Sequence, residues 1–174
     1  MKLHLSKLDA RRYKLNAKKG FTLVELLLHM ALLAILLITL TDIFVSILDV
    51  RLESDATSAV EQDGRLVLAR LAYDINRADA IANPALGASS NSLGLTISGV
   101  SYTYAIVSSN LQLTNNLGTN NLNGSETTIP SITFQRIGNV GGKHTIKINF
   151  TINSQTQRNK GLETRTFNTT VGLR

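Results

Sequence analysis

At 174 residues the chain has room for one modest domain and an anchor. With no Cys, it is closed to disulfides, thiolate metal sites and cysteine nucleophiles. The formal charge of +6 would point to nucleic acid if it were spread along the chain, but it is not. Residues 1–20 hold Lys2, Lys7, Arg11, Arg12, Lys14, Lys18 and Lys19 against Asp9 alone, a net of +6, and everything from Phe21 onward nets zero.

That basic segment stands directly before the apolar run Phe21–Leu40, whose only ionisable side chains are Glu25 and His29. A helix of this length covers about 30 Å, the thickness of a bilayer core. Basic groups on one flank fit the positive-inside rule and place the N-terminus in the cytoplasm. A secretory signal peptide would have a shorter apolar core and a small-x-small cleavage site after it. Here Leu40-Thr41-Asp42-Ile43-Phe44 follows, so the run is expected to be retained. Glu25 is the anomaly: a charge inside a spanning helix costs about 2.5–3.5 kcal/mol even on lenient scales. His29, at i+4, is placed either to share a hydrogen bond with Glu25 or to remain a neutral interior residue.

Helical spacing continues past the apolar run. Val45, Leu48, Leu52, Ala56, Ala59 and Val60, then Val67, Leu71, Ile75, Ala78 and Ala82, recur on one face, with polar residues opposite. Gly64 is the weak point of this stretch, a place for a bend or for close packing. The spacing predicts one helix from about residue 22 to 82. Charge is polarised along the chain: residues 21–79 net −5 and residues 80–174 net +5, a pattern that would help stems and heads of subunits to pack.

At Asn83-Pro84 the composition turns to Thr, Asn, Ser, Gly and β-branched residues. Alternation is clearest in Thr145–Asn153, where Ile146, Ile148, Phe150 and Ile152 share one side. Shorter strands are expected near Leu93–Ile97, Tyr102–Val107, Leu111–Thr114, Ile132–Ile137 and Thr164–Val171. Gly141-Gly142 gives a turn between two of them, and Asn115–Ser125 a long loop. The fold class is α+β: an antiparallel sheet with an apolar face, covered by the amphipathic half of the long helix. The chain divides into residues 1–20, a basic leader; 21–40, an apolar spanning helix; 41–82, an amphipathic stem; and 83–174, a β-rich head.

The head offers little chemistry. Its only acids are Glu126 and Glu163 and its only His is His144, with no nucleophile motif, phosphate loop or acidic Ca²⁺ loop. No catalytic residue, cofactor or metal is expected.

Lys18-Lys19-Gly20 followed by Phe21-Thr22-Leu23-Val24-Glu25 and a long aliphatic run resembles the processing site of type IV prepilins and type II secretion pseudopilins. The resemblance implies cleavage between Gly20 and Phe21 by a prepilin peptidase, and methylation of the new amine on Phe21. It implies that this amine meets Glu25 of a neighbouring subunit, so that the cost of the buried carboxylate is offset between chains. Helix stem and β-rich head are the general pilin plan. Arg65, Leu68, Leu71, Asp74, Ile75 and Ala78, with Ile132-Thr133-Phe134, look like the W-type minor pilins and J-type pseudopilins. Two departures, Asp42 where many major pilins carry Pro and the absence of the head's Cys pair, favour a minor component. The partners so implied are other pilin or pseudopilin subunits, the peptidase, an inner-membrane assembly platform and membrane lipid. The location is a single-pass cytoplasmic-membrane protein, then a pilus, secretion or competence filament. The alternative is a membrane-anchored module whose head binds DNA, sugar or another surface ligand. Seven scattered basic residues without a stacking strip make nucleic acid a poor candidate.

Overall fold

A computed structural model places residues 20–174; the basic segment 1–19, and with it the Lys18-Lys19 pair, lies outside the described residues. The first element is one helix, α1 (Leu23–Asn76). Backbone contacts divide the chain into two compact units that meet at Ile43/Phe44.

In the first unit α1 is apolar all round, and every side chain to Ile43 is exposed. Its two hydroxyls bond to the helix itself: Thr39 donates to the carbonyl of Leu36 at 2.9 Å and Thr41 to that of Leu37 at 2.8 Å. Polar groups satisfied inside the helix suit a surface that meets no water.

In the second unit α1 buries Ala56, Val60, Gly64, Val67, Leu71, Asp74 and Ile75, spaced three or four apart. The expected stripe is thus seen from Ala56 onward, whereas Val45, Leu48 and Leu52 stay exposed. The helix also ends earlier than residue 82. After Asn76 the Asp79 amide donates to the Thr96 carbonyl at 2.8 Å, and the Asp79 carboxylate accepts the Ser98 amide at 2.6 Å. Residues 80–83 become strand β1 (Ala80–Asn83), with Ile81 opposite Leu95. The segment is rich in alanine and would suit a helix, but ladder bonds and the burial of Ile81 outweigh propensity.

Eight strands follow: β2 (Ser89–Ser90), β3 (Leu93–Ile97), β4 (Val100–Val107), β5 (Asn110–Asn115), β6 (Gly118–Asn121), β7 (Thr127–Ile137), β8 (Thr145–Ser154) and β9 (Thr164–Gly172). They form two antiparallel sheets rather than one, in the orders β1-β3-β4-β5-β6 and β2-β7-β8-β9. Ser98-Gly99 and Ser108-Ser109 make two-residue turns, all four residues with φ between 49° and 77°. That is the type I′ pattern whose twist matches the flanking strands. β6 falls inside the stretch expected to be a loop. Pro130 stands in β7 at the register shift between Thr128 and Ser131, where a residue without an amide is tolerated.

Both sheets and the helix feed one core. Val60, Val67, Leu71 and Ile75 of α1 join Leu93, Leu95, Tyr104 and Leu111 from one sheet and Ile132, Phe134, Ile148 and Phe150 from the other. Gly64 is explained by close packing: a Cβ there would overlap the ring of Phe167, which itself stacks on Phe150 at 5.4 Å between centroids.

Gly64→Ala is therefore expected to lower stability. The overpacking cost of about 1–3 kcal/mol outweighs the roughly 1 kcal/mol that Ala contributes to a helix. In thermal unfolding of the full chain, Phe167→Ala should make the Gly64→Ala change neutral or favourable. Additive losses in the double variant would contradict the wedge.

Candidate processing and assembly site

Gly20, Phe21 and Thr22 precede the first helical residue. Thr22 caps α1: its hydroxyl accepts the Glu25 amide at 3.2 Å, and its carbonyl accepts the Leu26 amide at 3.1 Å. Thr22-Leu23-Val24-Glu25 has the T-x-x-E form of a capping box, with the carboxylate three residues after the cap. Glu25 thus belongs to the first turn of the helix, not to its interior. There the positive end of the helix dipole favours an anion.

His29 makes no hydrogen bond to Glu25. Its ring lies tilted against Phe21, with centroids 5.7 Å apart. Among the described residues no basic group forms an ion pair with Glu25, and the carboxylate's support there is the helix dipole. Gly20 has no atom within 4 Å of where a Cβ would stand. A demand for glycine at this position therefore comes from whatever reads the chain, not from the fold. Gly20, Phe21 and Glu25 occupy one short segment around the helix start, as the sequence spacing implied.

Elsewhere the acids of α1 are engaged by the β-rich segment. Asp49 accepts both bonds of the Asn159 amide at 3.0 Å, and Glu53 lies 3.6 Å from Lys160. Glu61 pairs with Arg165, while Asp63 accepts the Gly124 amide at 2.8 Å and the Thr127 hydroxyl. The complementary charge of stem and head is thus partly satisfied within one chain. Sequence reasoning noted the imbalance but missed these pairings. The signal was the spacing of Asp49 and Glu53, one turn apart, and of Asp63 and Asp74, three turns apart, which keeps each pair on one line of the helix.

Asp74 is the buried member. One carboxylate oxygen is held by Arg77 at 2.9 Å, the other by Arg70 at 2.7 Å and by the hydroxyl of Tyr104. Burial, then the bond to Asp74, pushes the Tyr104 hydroxyl well above the ordinary phenol range, against the opposing pull of Arg70. Desolvation alone would lower Arg70 and Arg77. Their partners outweigh it: chiefly Tyr104 and Asp74 for Arg70, and Asp74 with Tyr73 and Tyr102 for Arg77, so both stay above the usual guanidinium value. Every oxygen of Asp74 is occupied, so the cluster is a latch between α1 and β4 and not a reacting centre.

The acids and His expected to offer little chemistry are dispersed. Glu163 binds Arg158 at 2.9 Å, the Glu126 carbonyl accepts the Gln155 amide, and the His144 carbonyl accepts the Leu173 amide. Among the described residues no group of three His, Asp or Glu side chains is placed to hold a metal ion.

Compared with protein families, residues 15–41 match the prokaryotic N-terminal methylation motif. The matched stretch contains the cap, Glu25 and the apolar run. Neither the curated proteins nor the solved structures gave a match.

Tyr104→Phe should lower stability by about 1 kcal/mol, the net contribution of one buried hydrogen bond. The unfolded chain's tyrosine ionises near pH 10, whereas the folded one keeps its proton to higher pH, so wild-type stability should fall as pH rises above 10. Unfolding followed from pH 8 to 11 should show this alkaline loss diminished in the variant. Identical slopes would contradict the latch.

Proposed function

We propose that the chain is a minor structural subunit of a type IV pilus or of a related secretion or competence pseudopilus. It enters the cytoplasmic membrane as a single-pass protein with its N-terminus inside. A prepilin peptidase cuts it between Gly20 and Phe21 and methylates the Phe21 amine. It then leaves the bilayer to pack through its helix against other pilin-like subunits, at an inner-membrane assembly platform. The leader is 1–20 and the spanning and polymerising part 21–40. The stem ends with α1 at Asn76, and the β-rich head follows.

One observation carries this reading. The methylation motif at 15–41 coincides with a helix that is capped at Thr22, carries its carboxylate in the first turn, and is long and apolar enough to cross a membrane. Freed by the cut, the Phe21 amine would lie one turn from its own Glu25 and equally near the membrane boundary of a neighbour. An ammonium from the next subunit would neutralise the carboxylate when both leave water, and would set the stagger between helices. The minor-component assignment is supported by Asp42 at the position of the usual Pro and by the lack of a Cys pair. The W-type and J-type likeness is supported by residues it rests on: Leu71, Asp74 and Ile75 of the stem, and Ala78 just beyond it, are buried. The role is structural rather than enzymatic.

Glu25→Ala should be cut and inserted normally, yet reach sheared filaments at less than about a tenth of the wild-type level, the effect of roughly 1.4 kcal/mol per incorporation step. Wild-type incorporation would defeat the role given to Glu25. Gly20→Glu should accumulate as the uncut precursor with the head still folded, because nothing in the fold needs glycine there. A mature-sized product on an immunoblot would move the cleavage site elsewhere.

A further inference from the structure

From Ala80 to Ser125 the chain contains no Asp, Glu, Lys, Arg or His, and this stretch supplies every strand of the sheet β1-β3-β4-β5-β6. One face of that sheet, with Leu93, Leu95, Tyr104 and Leu111, is buried in the core. The opposite face meets solvent and consists of hydroxyls and amides held in register. Thr103, Thr114 and Thr119 stand side by side on three adjacent strands, and the neighbouring rung aligns Ala105, Gln112 and Asn121.

Side-chain bonds orient these groups. The Thr114 and Thr119 hydroxyls are 2.9 Å apart, and Gln112 Nε2 donates to Asn121 Oδ1 at 3.1 Å. A hydroxyl has one donor and two acceptor positions, and an amide two of each, so each group keeps unused capacity toward solvent. At the end of the ladder lies an open cleft of about 430 Å³, lined by Val100, Ser101, Thr103, Thr114, Asn115 and Asn116. The tight turns at Ser98-Gly99 and Asn115–Gly118 fix its walls. The other sheet differs, since its solvent side carries Lys147.

We propose that this uncharged face binds a neutral, hydroxyl-rich chain, an oligosaccharide without acidic groups. Sugar hydroxyls are donors and acceptors at once and match an array of the same kind. The face carries no basic group to neutralise a phosphate, sulfate or carboxylate, the charge pairing on which nucleic acids and acidic glycans depend. Val100 in the cleft gives a sugar's C–H edge an apolar contact, and Leu117, next in the chain after Asn116, is 87% exposed. The inference goes beyond the assembly role and does not depend on it, because a single unassembled chain suffices.

The test uses the full chain in an amine-oxide detergent, which carries no sugar of its own. Probes are immobilised cello-, chito-, malto- and manno-oligosaccharides, with heparin and duplex DNA beside them. The chain should bind at least one neutral series with equal strength at about 50 mM and 500 mM salt, since no counterions are released. Thr103→Val with Thr114→Val should weaken that binding by about tenfold or more. Valine suits an exposed strand position, so the thermal midpoint should not move. Thr133→Val with Thr170→Val, on the other sheet, should bind as wild type. Failure to bind every neutral series overturns the proposal. So does retention only on heparin or DNA with a steep salt dependence, or equal behaviour of the two double variants.

Discussion

An apolar helix whose side chains stay exposed among the described residues governs this molecule. From Phe21 to Asp55 every side chain is exposed, and most of those before Phe44 are aliphatic. Fully burying one large aliphatic side chain is worth about 1.5–3 kcal/mol, so the run as a whole represents on the order of tens of kcal/mol. A single carboxylate opposes this by about 2.5–3.5 kcal/mol. Glu25 therefore cannot by itself keep the helix in water. Its place in the first turn, after the Thr22 cap, sharpens the point. There the positive end of the helix dipole favours it, so it costs the isolated helix little.

The second half of α1 faces the opposite problem and solves it within the chain. Its buried stripe runs from Ala56 to Ile75 and lies against two sheets in one core. Beside that apolar contact, the acids of the stem reach amides, hydroxyls and basic groups of the head, ending in the fully buried Asp74. Exposed pairs such as Lys160 with Glu53 add little to stability. Asp74 differs, because its partners are fixed by the helix and by β4, and leaving a buried tyrosine hydroxyl unpaired costs more than the bond contributes.

Much of this was legible before any coordinates. Clear alternation marks β8, and the shorter strand expected near Leu93–Ile97 coincides with β3. The residues around Gly20, Phe21 and Glu25 were marked by a motif that the family comparison recovers at 15–41. What was not legible has physical reasons. The residues of β1 read as helix because Ala-rich sequence leaves the choice to tertiary contacts. Those of β6 read as loop because Gly-Thr-Asn-Asn, exposed throughout, shows no alternation. The start of β7 was hidden by Pro130, and the split into two sheets is a matter of pairing that no local pattern records. The capping role of Thr22 was available in the T-x-x-E spacing but was overlooked while Glu25 was weighed only as a membrane charge.

The central proposal is that a cut between Gly20 and Phe21 turns an anchored helix into a polymerising one. The mass of the N-terminal peptide, measured on chain recovered from membranes and from sheared filaments, tests it most directly. The account predicts a filament-borne chain that begins at Phe21 with one methyl group on its amine. A filament-borne chain that still carries Lys18-Lys19-Gly20, or one that begins at another residue, would contradict it.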